Sequence, residues 1–218
     1  MLTPTRLRAG LLAVAAAMPF SGEGRAIESA APGATGSPSQ TVSLPGTRFE
    51  IALGSAAFEQ GSTRIKPELL RAIAAWLSSN YGLEPIDAPP AVAFATREAM
   101  ASIRHRDIRD NRSTSQAVID HGGAPHASTV VAIYDDVSRT IHLSETWTGS
   151  TPTELSILVH EMVHHLQNLA GMRFACHEER ERLAYAAQQD WLALFGRDLF
   201  TDFDTDAFTL MARTHCAY

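Results

Sequence analysis

The segment from Thr151 to Gly171 constrains the fold more than any other, because it carries every signal of one long helix. Thr151 is a good N-cap, Pro152 suits the first helical position, and Glu154 completes a capping box. Apolar residues then recur at helical spacing: Leu155, Leu158, Val159, Met162, Val163, Leu166 and Leu169. Gly171 is a natural stop. The pattern predicts an amphipathic helix over 152–170 with one face on a core.

The motif His160-Glu161-Met162-Val163-His164 stands in the middle of this predicted helix. Residues four apart share a helix face, about 6 Å between β-carbons, so both histidines can converge on one ion. Glu161 projects beside that ion and can act as general base towards water whose pKa zinc lowers. The alternative is an ordinary polar stripe, but polar groups among buried apolar residues need partners. We therefore predict a zinc site at His160 and His164.

A third zinc ligand is expected, because catalytic zinc usually has three protein ligands. A second helix is predicted over 177–195, and it begins with an acidic run that includes Glu178 and Glu181. In an antiparallel helix pair, residues equally distant from the turn lie at equal height, which matches Glu181 best to His164. We predict Glu181 as the ligand and Glu178 as the alternative. These acids could instead only complement the helix dipole.

The motif and the run 181–184 (Glu-Arg-Leu-Ala) together resemble the gluzincin metallopeptidases, whose third ligand is a glutamate on a following helix. The continuation of the motif through Gln167 is similar to small, uncharacterised bacterial secreted zincin-like domains. The resemblance implies a zinc-dependent peptidase with a peptide or protein substrate. It also implies a minimal zincin-like α+β fold, in which a small sheet or hairpin packs on the active-site helix and a Glu-bearing helix follows.

Tyr185 marks a departure from the better-known gluzincins, since it stands four residues after Glu181, where an acid is often found. The gap between His164 and Glu181 is also short. These departures leave the hydrogen-bonding partners of the zinc histidines unassigned. Tyr185 lies one helical turn beyond Glu181 on the same face, so we predict that it reaches the site and polarises a carbonyl. Packing in the core is the alternative.

Other histidines are weaker candidates. His165 is about 100° round the helix from the second ligand, which favours a supporting or surface role. His177 and His215 each neighbour a cysteine and could lie near the site, although structural or exposed roles are commoner. His121 and His126 belong to a Gly/Pro loop. If His165 or His177 closed the fourth zinc position, the chain would be a non-catalytic zinc protein, which is the alternative function.

The N-terminal region has the layout of an exported chain. Two arginines precede the apolar run 11–20, small residues follow, and the run is too short to span a bilayer. We predict a signal peptide over 1–26, with a buried N-terminal helix as the alternative. Residues 27–47 are rich in Ala, Ser, Gly, Pro and Thr and predict a flexible linker. The zincin-like domain is then 48–218, located in the periplasm or outside the cell.

Charge and hydropathy limit the classes of partner that the chain can bind, and the cysteine count predicts a disulfide. The formal net charge is -6 and the basic residues are dispersed, which disfavours nucleic acid. No later stretch reaches the roughly 18 apolar residues of a membrane span. The chain has two cysteines, Cys176 and Cys216, and in an exported chain an even count predicts a disulfide. Two free buried thiols are the alternative, and the oligomeric state is left open.

The remaining periodicity completes an α+β pattern. It predicts helices over 65–82 and 96–107, a strand over 90–95, a hairpin over 130–144 and a short helix in the tail after 202. We expect the hairpin to join a small sheet above the active-site helix. One of its strands, if at an edge, could hold an extended substrate by strand addition.

Overall fold

The computed structural model describes residues 41–52, 57–59, 64–109, 115–119 and 129–216, all within one compact unit, Pro38–Tyr218. The described residues have the α+β composition that the sequence predicts. The predicted signal peptide and the loop histidines His121 and His126 lie outside them. No helix in the described part is long and apolar enough to cross a membrane.

The elements follow one another in mixed order. They are β1 (Thr41–Ser43), β2 (Glu50–Ala52), α1 (Pro67–Tyr81), β3 (Ala91–Ala95), α2 (Arg97–Arg109), β4 (Ser115–Ile119), β5 (Thr129–Asp135), β6 (Thr140–Ser144), α3 (Pro152–Leu169), α4 (His177–Ala193), α5 (Leu199–Asp202) and α6 (Ala207–Thr214). The predicted helices and the predicted hairpin are present close to their expected bounds, because their caps and their apolar periodicity are strong local signals.

The larger sheet has four strands in the order β3-β6-β5-β4. β5 and β6 form the predicted antiparallel hairpin, with Ala132 opposite Leu143. β3 runs parallel to β6, and β4 pairs with the other side of β5. Both hairpin strands therefore have two neighbours. The expectation that a hairpin strand offers a free edge for substrate is wrong, since β3 and β4 are the outer strands.

Helix α3 is the centre of the fold. Its capping box is formed as predicted: the Thr151 hydroxyl accepts from the Glu154 N–H, and the Glu154 carboxylate accepts from the Thr151 N–H. Every residue from Leu155 to Gln167 is buried, because the sheet covers one side of the helix and α1 and α4 pack on others. The polar residues of the motif are therefore enclosed with the apolar ones.

The folded part begins before position 48. β1 pairs antiparallel with β2, and Leu44 is buried in the main core cluster. The Thr47 hydroxyl donates to the Leu44 carbonyl oxygen and closes the turn between the two strands. Residues 41–47 thus do not form the end of a flexible linker, because one apolar side chain and a two-stranded ladder suffice to hold them against the core.

The two cysteines form a disulfide, Cys176–Cys216, with 40 residues of sequence separation. It joins the residue before α4 to a residue just after α6, and α6 packs along α4. Cys176 is also the N-cap of α4, since its sulfur accepts from the Glu179 N–H at 3.3 Å. The bond thereby fixes the start of the helix that carries Glu181.

Candidate metal centre

Three buried side chains, His160, His164 and Glu181, bring ligand atoms within 4.8 Å of one another. His160 Nε2 lies 3.0 Å from Glu181 Oε2, and His164 Nε2 lies 3.4 Å from Glu181 Oε1. Both imidazoles have no exposed surface and Glu181 has 4%. This group could hold a metal ion. Glu178, the alternative acid, does not belong to it.

The short connection between α3 and α4 explains why these residues meet. The N–H of Met172 donates to the Gln167 carbonyl oxygen, and Gly171 takes a left-handed φ of 62°, so the chain reverses immediately after α3. Helix α4 then runs back along α3, and the two helices pack over much of their length. Glu181 arrives at the level of the two histidines, as the equal-height argument predicts.

In each of the two histidines of the group, a glutamine contacts Nδ1, the ring nitrogen that does not face Glu181. His160 Nδ1 lies 3.1 Å from Gln188 Oε1, and His164 Nδ1 lies 3.0 Å from Gln167 Oε1. Sequence reasoning missed both glutamines. The available signal was helical geometry, because Gln188 follows Glu181 by two turns on one face of α4 and Gln167 follows His164 by three residues.

The electrostatics of the group favour a cation. Burial alone would raise the pKa of Glu181, but the charge of His164 and the hydrogen bond with His160 hold it well below its usual range. Burial also opposes protonation of His160, yet Glu181 raises the pKa of that ring above its usual value. For His164, burial outweighs Glu181 and lowers the pKa to about 4. An anionic carboxylate therefore faces two imidazoles of unequal basicity.

Two atoms of the group lack a hydrogen bond in the described part of the chain. They are His164 Nε2 and Glu181 Oε1, both buried, and they face each other at 3.4 Å. Unpaired buried polar atoms cost roughly 1–3 kcal/mol each. A cation between them would satisfy a nitrogen lone pair and a carboxylate oxygen together. The arrangement therefore fits a bound metal better than a purely structural cluster.

Glu161 and Tyr185 flank the group. Glu161 is fully buried beside His160, and its negative charge helps to raise the pKa of that histidine. The Tyr185 ring packs edge-on against the His160 ring, with centroids 4.8 Å apart. Its hydroxyl accepts from Arg213 at 3.5 Å, and burial raises its pKa. Tyr185 thus lies on the predicted side of α4, at the wall of the site.

The other described histidines stand outside the three-residue group. His165 turns to the sheet, where its Nδ1 lies 3.2 Å from the Tyr134 hydroxyl. His215 is exposed after α6. His177 comes nearest: its Nε2 is 3.6 Å from Glu181 Oε1, and its side chain is 39% exposed. His177 is therefore the described histidine best placed to influence Glu181 from the solvent side.

The fold and the site define an α+β protein with a buried His-His-Glu centre between two antiparallel helices. Residues 62–217 match the family described as a domain of unknown function, DUF6647, and the chain belongs to this family. The matched region runs from just before α1 through α6 and includes the whole candidate metal centre. We found no match among curated proteins or solved structures.

Proposed function

We propose that the protein is a zinc-dependent hydrolase that cleaves peptide bonds, with a zincin-like fold. The observation that carries the proposal is the convergence of His160, His164 and Glu181, with Glu161 one residue from the first ligand. Two imidazole nitrogens and a carboxylate are a common ligand set of catalytic zinc, which keeps its fourth position open.

Glu161 and Tyr185 have different roles in the proposed hydrolysis. When bound, zinc supplies Lewis acidity towards a carbonyl group and towards water. Glu161 takes a proton from the attacking water oxygen and passes it to the nitrogen of the leaving amine. The Glu161 side chain is completely buried, so its carboxylate has no contact with bulk solvent. Tyr185, at the wall beside His160, is the candidate to donate a hydrogen bond to the oxygen of the scissile carbonyl.

Export fits this proposal. The predicted signal peptide would deliver the chain to the periplasm or the exterior, and the Cys176–Cys216 disulfide supports an oxidising compartment. The expected substrates are therefore peptides or proteins outside the cytosol. The resemblance of the motif and of the 181–184 run to gluzincins adds to this proposal.

A non-catalytic zinc protein is the second candidate, and the position of His177 is the observation that favours it. A closed structural site needs a fourth ligand. The partly exposed His177 ring brings its Nε2 to 3.6 Å from Glu181 Oε1 and could supply that ligand. The two candidates differ for His177→Ala. A closed site would lose zinc affinity by orders of magnitude, whereas an open catalytic site would keep its zinc.

The test combines metal content and activity in the purified full chain. His160→Ala and His164→Ala should abolish zinc binding, because each removes a ligand. Glu161→Gln should keep zinc and lose cleavage of a broad peptide library, whereas the control Glu178→Gln, a neighbouring acid outside the group, should keep both. Wild-type zinc content in both histidine variants would refute the metal site, and full cleavage by zinc-loaded Glu161→Gln would refute the mechanism.

A further inference from the structure

The two glutamines at the metal centre are themselves held at their far ends. Gln188 and Gln167 are both buried, with 2% and 1% of their surfaces exposed. Each places Oε1 against the Nδ1 of one histidine and Nε2 against a second group on α3 or α4. The identity of that second group decides which end of each amide faces its histidine, and so whether the histidine Nδ1 donates or accepts.

Gln167 is oriented by a backbone carbonyl. Its Nε2 lies 3.1 Å from the Arg180 carbonyl oxygen, which can only accept a hydrogen bond. The amino end of the amide must therefore point at Arg180, and the oxygen end must point at His164. Since that oxygen can only accept, His164 must donate from Nδ1. Its Nε2 then carries a lone pair, aimed at Glu181.

Gln188 is oriented through a serine. Its Nε2 donates to the Ser156 oxygen at 3.2 Å, and the Ser156 hydroxyl itself donates to the Thr153 carbonyl oxygen at 2.7 Å. The serine oxygen is thus left to accept, so the amide oxygen of Gln188 faces His160 Nδ1. His160 must also donate from Nδ1, so a neutral His160 ring presents a lone pair at Nε2.

With neutral rings, this pattern leaves no proton between either histidine and Glu181. Without a metal, His160 Nε2 and Glu181 Oε2, which are 3.0 Å apart, would need a second proton on the ring, and a bound metal would take the place of that proton. We propose that Gln188 and Gln167 are positioning residues that fix the Nδ1–H form of His160 and His164, and thereby aim both Nε2 lone pairs at a bound metal. The inference rests on the proposed metal site and adds how the neutral amides prepare it.

The two glutamines should respond differently to the same substitution. In Gln188→Glu, the second carboxylate oxygen meets the Ser156 hydroxyl, which can exchange its hydrogen bond to the Thr153 carbonyl oxygen for a stronger one to the charged carboxylate. In Gln167→Glu, the second oxygen meets the Arg180 carbonyl oxygen, and two acceptors repel. Gln188→Glu should therefore preserve zinc binding, whereas Gln167→Glu should weaken it. A role limited to filling space predicts no such difference, because both substitutions conserve volume.

The experiment measures zinc affinity of the full chain by competition with a chromophoric chelator. Gln188→Met and Gln167→Met remove the acceptor and should each weaken zinc roughly 10–100-fold. Gln189→Met is the matched control. Gln189 is the next residue on α4, but its amide oxygen accepts from the Leu199 N–H, so zinc affinity should stay at the wild-type value. Wild-type affinity in both position-188 and position-167 methionine variants overturns the proposal, as does equal behaviour of the two glutamate variants.

A second measurement needs no variant and so does not depend on whether a variant folds. Long-range ¹H–¹⁵N spectra of the histidine-labelled wild type report which ring nitrogen carries the proton. We expect Nδ1–H at His160 and His164 in the zinc-loaded chain, and Nε2–H or zinc on Nδ1 overturns the proposal. Failure of the wild type to bind zinc refutes the proposed function instead. In that case the spectrum of the metal-free chain, with both rings neutral, still decides the proton position.

Discussion

The Glu154 side chain hydrogen-bonds the start of α3 to the loop before it. The substitution Glu154→Gln tests how much these bonds contribute to the free energy of unfolding. The carboxylate accepts from the backbone N–H of Thr148 at 2.8 Å, of Ser150 at 3.0 Å and of Thr151 at 3.3 Å. The hydroxyl of Thr148 adds a further bond at 2.8 Å. A glutamine amide replaces one acceptor oxygen by a donor and removes the charge, so part of this set must break.

The expected loss of stability follows from three contributions. Losing the capping-box acceptor costs about 1 kcal/mol, and removing a negative charge from a helix N-terminus costs about 0.3–1 kcal/mol. Weakening the hydrogen bonds to an ionised carboxylate adds a further amount, reduced here because Glu154 is partly exposed to solvent. We expect Glu154→Gln to lower the free energy of unfolding by about 2–3 kcal/mol at neutral pH.

The effect of Glu154→Gln should depend on pH, with a definite sign. Burial opposes ionisation of Glu154, but its backbone and hydroxyl donors outweigh burial and lower its pKa. The unfolded chain, in which the pKa of a glutamate is about 4.3, therefore binds the proton more readily than the folded chain. The stabilisation is fully present above that value and is lost as the pH falls through the lower folded pKa. The difference between wild type and variant should shrink in acid.

Urea unfolding at a series of pH values between about 7 and about 3 measures this difference directly. The control is Glu84→Gln, which removes an exposed glutamate charge outside any helix or strand. The control should change the free energy of unfolding by less than about 0.5 kcal/mol throughout. A Glu154→Gln deficit that stays constant down to the lowest pH, or that matches the control, would refute the reasoning.

Two further predictions concern the metal centre and its covalent support. Glu181→Ala should weaken zinc binding far more than Glu178→Ala, because only Glu181 faces both histidines, and the reverse ranking in zinc titrations would transfer the ligand role. Reducing Cys176–Cys216 should lower the free energy of unfolding by about 4 kcal/mol on the chain-entropy model and also weaken zinc, because the bond fixes the start of α4. Melting curves and zinc titrations with and without reductant check both effects, and intact mass with alkylation confirms the state of the thiols.

The parts of the site that were predictable lie within helices with strong local signals. The N-cap and capping box placed the start of α3, and the acidic run placed Glu181 near the start of α4. A short turn between two antiparallel helices then relates residues by height alone. These arguments need no knowledge of distant contacts, which is why the three ligands could be chosen from the sequence.

Most of the missed features depend on contacts that no local pattern encodes. Helical spacing alone puts Gln167 beside His164, but only the packing of α3 on α4 brings Gln188 to His160 and the Arg180 carbonyl oxygen to Gln167. The parallel pairing of β3 with β6 joins segments that lie far apart in sequence, and together with the pairing of β4 with β5 it removes the free edge expected of the hairpin. Leu44 lies in the stretch 27–47, whose composition predicts a linker, and only the folded structure shows that its side chain is buried.

The Cys176–Cys216 disulfide imposes an order on the maturation of the protein. The bond cannot form until position 216 has reached an oxidising environment, and by then all three candidate ligands have already been synthesised and delivered. Helix α4 thus receives its covalent anchor last, after α3 and its two histidines can already have packed against the sheet. If the chain is exported as we propose, capture of the proposed metal should therefore be completed late, after export rather than during synthesis.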